Sequence, residues 1–308
     1  MTSTAPQTAL ALRNVLMATD FSPCSDRALL HAVAAANHYG STLHLVHVVP
    51  TAPFCFLPPE AYPGTLEAKC LAQDLARADA QRLLADVLRR THCENLDNRI
   101  WVQLGVVGET LCAIIRREHI DLAVVGTHGR TGLQRVVLGS VAEEVFRHAP
   151  CPVLTVGPRS WRSDPQSVRL KHVLFPTDLS TDSARALPFV MTIACEFGAA
   201  VTILNVIEHL DTEAEHDRAL VVAVLKQRMQ GIVSATGLKP SKLDFQIEFG
   251  DVADSIIETA ERLAVDLVAF GLKAPDTRAD RLPWKHAYRV VCEVTCPVLS
   301  LRGPARLE

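Results

Sequence analysis

Asn14-Val-Leu-Met-Ala-Thr-Asp-Phe-Ser22 returns 158 residues later as His172-Val-Leu-Phe-Pro-Thr-Asp-Leu-Ser180, and this echo decides the architecture. At the same offset Leu43-His-Leu-Val-His-Val-Val49 pairs with Val201-Thr-Ile-Leu-Asn-Val-Ile207. Farther on the offset becomes 145. Gln103-Leu-Gly105 matches Glu248-Phe-Gly250, Asp121-Leu-Ala-Val-Val-Gly126 matches Asp266-Leu-Val-Ala-Phe-Gly271, and Cys151-Pro-Val-Leu matches Cys296-Pro-Val-Leu. The first copy therefore carries thirteen extra residues between its second and third strands. Two long units of one pattern are a duplicated domain, not a solenoid of short repeats. The expected boundaries are 12–157 for the first copy, 158–170 for a linker interrupted by Pro158 and Pro165, and 171–302 for the second.

Within the first copy, short β-branched runs at roughly 13–19, 42–49, 99–104, 121–126 and 152–157 alternate with helical spacings. The runs are apolar on both faces, as in strands covered by helices on each side. Ser22-Pro23 reads as an N-cap followed by proline in the first turn, and Gly40 suits the helix exit. Over 66–90, Leu71, Leu75, Leu84 and Leu88 are expected to line one helix face. Strand–helix alternation implies right-handed crossovers. The fold class is α/β, with two tandem doubly wound open parallel sheets, expected in 3-2-1-4-5 order.

Composition narrows the function classes. Thirty-one basic against thirty-four acidic residues leave a net charge of −3, which does not suit a non-specific nucleic-acid binder. Nine cysteines, without any C-x-x-C, suggest neither a disulfide framework nor a structural zinc site. Reduced thiols, no secretory signal and no apolar run long enough for a membrane span lead us to expect a cytoplasmic protein without membrane contact. A P-loop and a G-x-G-x-x-G turn are both missing, which excludes P-loop NTPases and Rossmann dehydrogenases.

In an open α/β sheet, ligands bind beyond the carboxyl ends of strands where the strand order reverses. Asp20 ends strand 1 there. Strand 4 exits through Gly126-Thr-His-Gly129-Arg130-Thr-Gly132-Leu-Gln-Arg135-Val-Val-Leu-Gly139-Ser140-Val141. Gly126 and Gly129 let backbone approach a phosphate chain, and Gly139-Ser140 opens a helix to about His148 whose N-terminus favours an anion. Two ligand-free readings compete: Ser140 with Glu143 forms a capping box, and the glycines simply permit a turn.

The spacing Gly126-x2-Gly129-x9-Gly139-Ser140, after Val124-Val125-Gly126, resembles the ATP-binding signature of the universal stress protein family. Ala18-Thr-Asp20-Phe-Ser22, Leu45-Val-His-Val48 and Pro150-Cys-Pro-Val-Leu154 resemble that family's opening, second and last strands. The resemblance implies ATP in the first copy, with Asp20 at the ribose, the region around Val48 facing adenine, Gly126, Gly129, Gly139, Ser140 and Val141 around the phosphates, and Val125 among the nucleotide-binding residues. It also implies stress-response or signalling roles and dimers built by pairing last strands. Within this chain, 152–157 and 297–301 are the segments to pair, with a homodimer as a further expectation. Two alternatives stay open: a slow ATPase or autophosphorylating enzyme using Mg²⁺ in the same pocket, and a nucleotide-free scaffold that recruits a protein partner.

The second copy departs from the signature. Gly126 maps to Gly271, but Gly129 becomes Ala274, Gly139 becomes Trp284 and Ser140 becomes Lys285. Asp178 remains, yet this half is expected not to hold ATP in the family manner. Pro50 to Gly64, rich in proline and aromatics, follows strand 2 and reads as an ordered loop or as a lid over the site.

Overall fold

A computed structural model describes residues 10–50, 65–91, 96–127, 138–160, 169–208, 215–272 and 284–302. By packing, the chain forms two compact units. One spans Leu12–Gly132 with Gly139–Pro150, and the other takes in Cys151–Glu308 with two short earlier pieces.

In the first unit, β1 (Asn14–Ala18), β2 (Thr42–Pro50), β3 (Asn98–Gly105) and β4 (Leu122–Gly126) alternate with α1 (Pro23–Tyr39), α2 (Thr65–Arg90), α3 (Val107–Arg117) and α4 (Ser140–His148). All pairings are parallel, in the order β3-β2-β1-β4. Val15, Leu16, Met17, Leu43, Leu45, Ala123 and Val124 are fully buried, as strands between two helical layers must be. α1 starts on the expected cap: Ser25 N–H donates to Ser22 Oγ at 3.2 Å, Pro23 stands in the first turn, and Gly40 closes the helix at φ 64°.

The second unit contains β5 (Val153–Val156), β6 (His172–Pro176), β7 (Ala200–Ile207), β8 (Lys242–Phe249), β9 (Leu267–Leu272) and β10 (Val298–Arg302). Its helices are α5 (Thr181–Glu196), α6 (Glu215–Ser234), α7 (Val252–Arg262) and α8 (Trp284–Glu293). The second copy shows the full 3-2-1-4-5 order as β8-β7-β6-β9-β10, again parallel. β5 then pairs antiparallel with β10, Leu154 opposite Leu299. Those two leucines are equivalents at offset 145, so the ladder maps onto itself when the copies are exchanged. The two segments expected to pair within the chain do so.

Small polar devices repeat with exchanged residues. Asp121 Oδ2 accepts from the Arg13 and Asn14 N–H groups, and Asp266 Oδ2 accepts from those of Lys171 and His172. His44 Nε2 meets Asn14 Oδ1 at 3.2 Å, whereas in the second copy His172 Nε2 meets Thr202 Oγ1 at 2.8 Å. Histidine has changed strands while the cross-strand bond has stayed. Trp101 Nε1 can only donate, so its bond to His44 Nδ1 fixes the proton of that ring on Nε2.

One helix-face expectation fails. Leu84 and Leu88 of α2 are buried at 0% and 7% exposure, but Leu71 and Leu75 stand out at 62% and 58%. From Leu75 to Leu84 is nine residues, which at 3.6 per turn is two and a half turns. The two leucine pairs therefore face opposite ways, and the seated stripe is Ala80, Leu84, Val87 and Leu88.

Candidate functional site

β1 and β4 are neighbours with β2 beyond β1, so the strand order reverses between them and their carboxyl ends border one crevice. The turn leaving β1 is held by side chains on both sides. Phe21 N–H donates to Thr19 Oγ1 and Ser22 N–H to Asp20 Oδ1, both at 3.0 Å. Phe21 adopts φ 63°, a left-handed conformation that costs a non-glycine residue about 1 kcal/mol. Leu179 repeats it at φ 59°, with the matching bonds from Leu179 N–H to Thr177 Oγ1 and Ser180 N–H to Asp178 Oδ1. The turn that presents Asp20 is thus a property of both copies.

A residue that the sequence reading passed over pins this turn from β2. His47 Nδ1 lies 2.8 Å from Thr19 O, and because a carbonyl only accepts, Nδ1 carries the proton. Its ring also lies against Phe21, 4.6 Å between centroids. Asn205 performs the same bond in the second copy, donating to Thr177 O at 2.7 Å. The signal was present at offset 158, since His47 and Asn205 are both side-chain donors at matching positions of β2 and β7.

The glycines separate into different roles. A Cβ on Gly126 would lie 3.2 Å from the carbonyl carbon of Cys24 and 3.3 Å from its oxygen and sulfur, so this glycine seats β4 against α1. Gly271 does the same against Asp182 and Ser183 of α5. That packing explains why Gly271 persists in a copy whose other signature residues are gone. Gly139 closes a neck: its N–H donates to Thr127 O at 2.9 Å, and a Cβ there would lie 2.9 Å from the same oxygen. Gly129, Arg130 and Arg135 lie outside the described residues, as does the Pro50-to-Gly64 loop apart from Pro50 itself.

The capping box does not form. Gly139 is the N-cap of α4, with no side-chain cap bond, and Ser140 is the exposed first helical residue. Glu143 N–H bonds Gly139 O, and the Glu143 carboxylate pairs with Arg147 at 3.4 Å. A box needs serine at the cap and glutamate three positions on, and the backbone shifts that frame by one. In contrast α1, α5 and α7 are capped by Ser22, Ser180 and Asp251. The amino end of α4 is consequently an anion-favouring terminus whose N-cap residue supplies no side-chain acceptor. Val48 and Val125 are buried in their strands, and Val141 is half-buried beside Ser140. In the second copy α8 begins at Trp284, the position equivalent to Gly139; its side chain and that of Lys285 lie outside the description.

Two copies of an open parallel sheet, each with a strained turn after its first strand and a loop-to-helix junction after its fourth, define a tandem α/β protein. The model of the universal stress protein family matches residues 11–157 and again 169–302, and the chain belongs to that family. A universal stress protein of Methanocaldococcus jannaschii is 33% identical over 151 residues, covering 47% of this chain and 81% of its own. A universal stress protein A homologue of Coxiella burnetii is 30% identical over 146 residues, covering 47% of this chain and 95% of its own. Among solved structures, a universal stress protein of Archaeoglobus fulgidus aligns with TM-score 0.68 at 16% identity, over 95% of this chain and 99% of that one, a likeness of fold. Among the described residues no helix is long and apolar enough to cross a membrane.

Proposed function

We propose that the first copy binds an adenine nucleotide, ATP, and that the chain is a nucleotide-dependent regulatory protein of the stress response. The observation that carries this reading is the amino end of α4. It lacks a side-chain cap, is reached through the Thr127–Gly139 neck, and begins with exposed Ser140. Backbone N–H groups with a positive dipole end suit phosphate oxygens. Asp20, held on the turn after the neighbouring strand, is a carboxylate suited to ribose hydroxyls. Val48, Val125, Gly126, Gly129 and Val141 complete the proposed lining. Charge balance at the phosphates falls to Mg²⁺ or to basic side chains of the loop.

Calorimetric titration of the full chain with ATP is expected to give one site per chain. Ser140→Asp separates structure from binding. An acidic residue in the first turn stabilises a helix by about 0.3–1 kcal/mol, so the melting temperature should hold or rise. The same carboxylate repels phosphate, so affinity should fall at least tenfold. Unchanged affinity in this variant would remove the phosphates from α4, and two equivalent sites per chain would contradict the asymmetry between copies.

A further inference from the structure

The second copy brings together three potential metal ligands that the first copy has at none of the matching positions. Glu208 follows β7, Asp251 is the N-cap of α7, and His286 lies in the first turn of α8. One ligand atom from each falls within 4.8 Å of the others. Their equivalents in the first copy are Pro50, Val106 and Val141, none of which has a side chain able to ligate a metal. Three separate elements have thus each acquired a donor, and the three donors converge on one point at the carboxyl end of the sheet.

Among the described residues the local balance of charge is negative. Arg289 lies beside the group, paired with Asp251 at 3.2 Å, with Glu293 at 3.1 Å, and with Asp254. One guanidinium therefore faces three carboxylates, and Glu208 adds a fourth. The Asp254 N–H donates to Asp251 Oδ1 at 2.9 Å and so fixes the orientation of that carboxylate. His286 Nε2 and Glu208 Oε1 stand 3.9 Å apart, too far for a hydrogen bond. A cation bonded at about 2.1 Å to each would span that gap, and an imidazole with two carboxylates suits a borderline divalent ion better than Mg²⁺ or Ca²⁺.

We propose that Glu208, Asp251 and His286 form a divalent transition-metal site of the Zn²⁺ class in the second copy. The site is independent of the nucleotide reading, since it uses no residue of the first copy. The test is titration of the chelator-treated full chain with Zn²⁺ alone, beside His286→Val and Glu208→Gln. All three side chains are at least partly exposed, so both variants should keep the wild-type fold, with circular dichroism as the check. The expected result is one Zn²⁺ site weakened at least tenfold in each variant, with ATP affinity unchanged. Co²⁺ in the wild type should give visible bands without thiolate charge transfer, which separates this site from the cysteines. Equal Zn²⁺ affinity in wild type and both variants, no Zn²⁺ uptake at all, or a thiolate band lost on cysteine blocking would each overturn the assignment.

Discussion

Gly271→Ala is expected to destabilise the second copy by about 3 kcal/mol, whereas Gly126→Ala should cost the first about 1 kcal/mol. The difference lies in what the added methyl group meets. At 271 it would sit 2.7 Å from Asp182 O and 2.8 Å from Ser183 Cα, both backbone atoms of α5, so a helix must move. At 126 the nearest atoms of Cys24 are 3.2 and 3.3 Å away, and a shift of a few tenths of an ångström relieves the contact. Urea unfolding of the two variants measures this directly. Equal losses, or none at 271, would show that the strand–helix contacts are not the reason for glycine. The pair also bears on the nucleotide. If Gly126 serves packing alone, Gly126→Ala should retain ATP affinity within a few fold, in contrast to Ser140→Asp, and a larger loss would keep Gly126 in the proposed lining.

Much of the architecture is legible in the chain because the duplication supplies an internal control. Strands that recur at fixed offsets agree with the observed β1 to β5 to within two residues at either end. The caps at Ser22 and Gly40 were readable because both act through their own local backbone. What was hidden depends on tertiary geometry. Leu71 and Leu75 look periodic within α2, yet only the phase of the seated stripe shows which leucines it includes. Ser140 and Glu143 satisfy a capping pattern, and only the backbone reveals that the helix starts one residue earlier, with Gly139 as its cap. Gly126 reads equally as phosphate loop or packing position, and only the distance to Cys24 gives the packing role its physical reason. The Glu208, Asp251 and His286 group draws on three distant segments and carries no local spacing at all.

The copies should also respond differently to acid. His31 of α1 is buried, and desolvation lowers its pKa from 6.5 to about 4. Its neutral form is therefore favoured by folding, and the unfolded chain binds the extra proton between those values. The contribution to stability is complete above pH 6.5 and is lost as the pH falls towards 4, reaching about 3 kcal/mol at 1.36 kcal/mol per unit. Phe189 occupies the equivalent position in the second copy, where it is buried. That residue nominates the control: His31→Phe places an aromatic side chain in a helix seat that the duplicated fold already accommodates. Thermal unfolding of the variant between pH 7 and 4.5 should lose most of the acid slope that the wild type shows. Burial also lowers the pKa of His44, so a smaller slope of the same sign should persist in the first copy. α1 carries Cys24 against Gly126 and begins directly after the Asp20 turn, so acid loosening of its seat should weaken ATP binding over the same range. An acid slope identical in wild type and variant would mean that His31 is not the group being titrated.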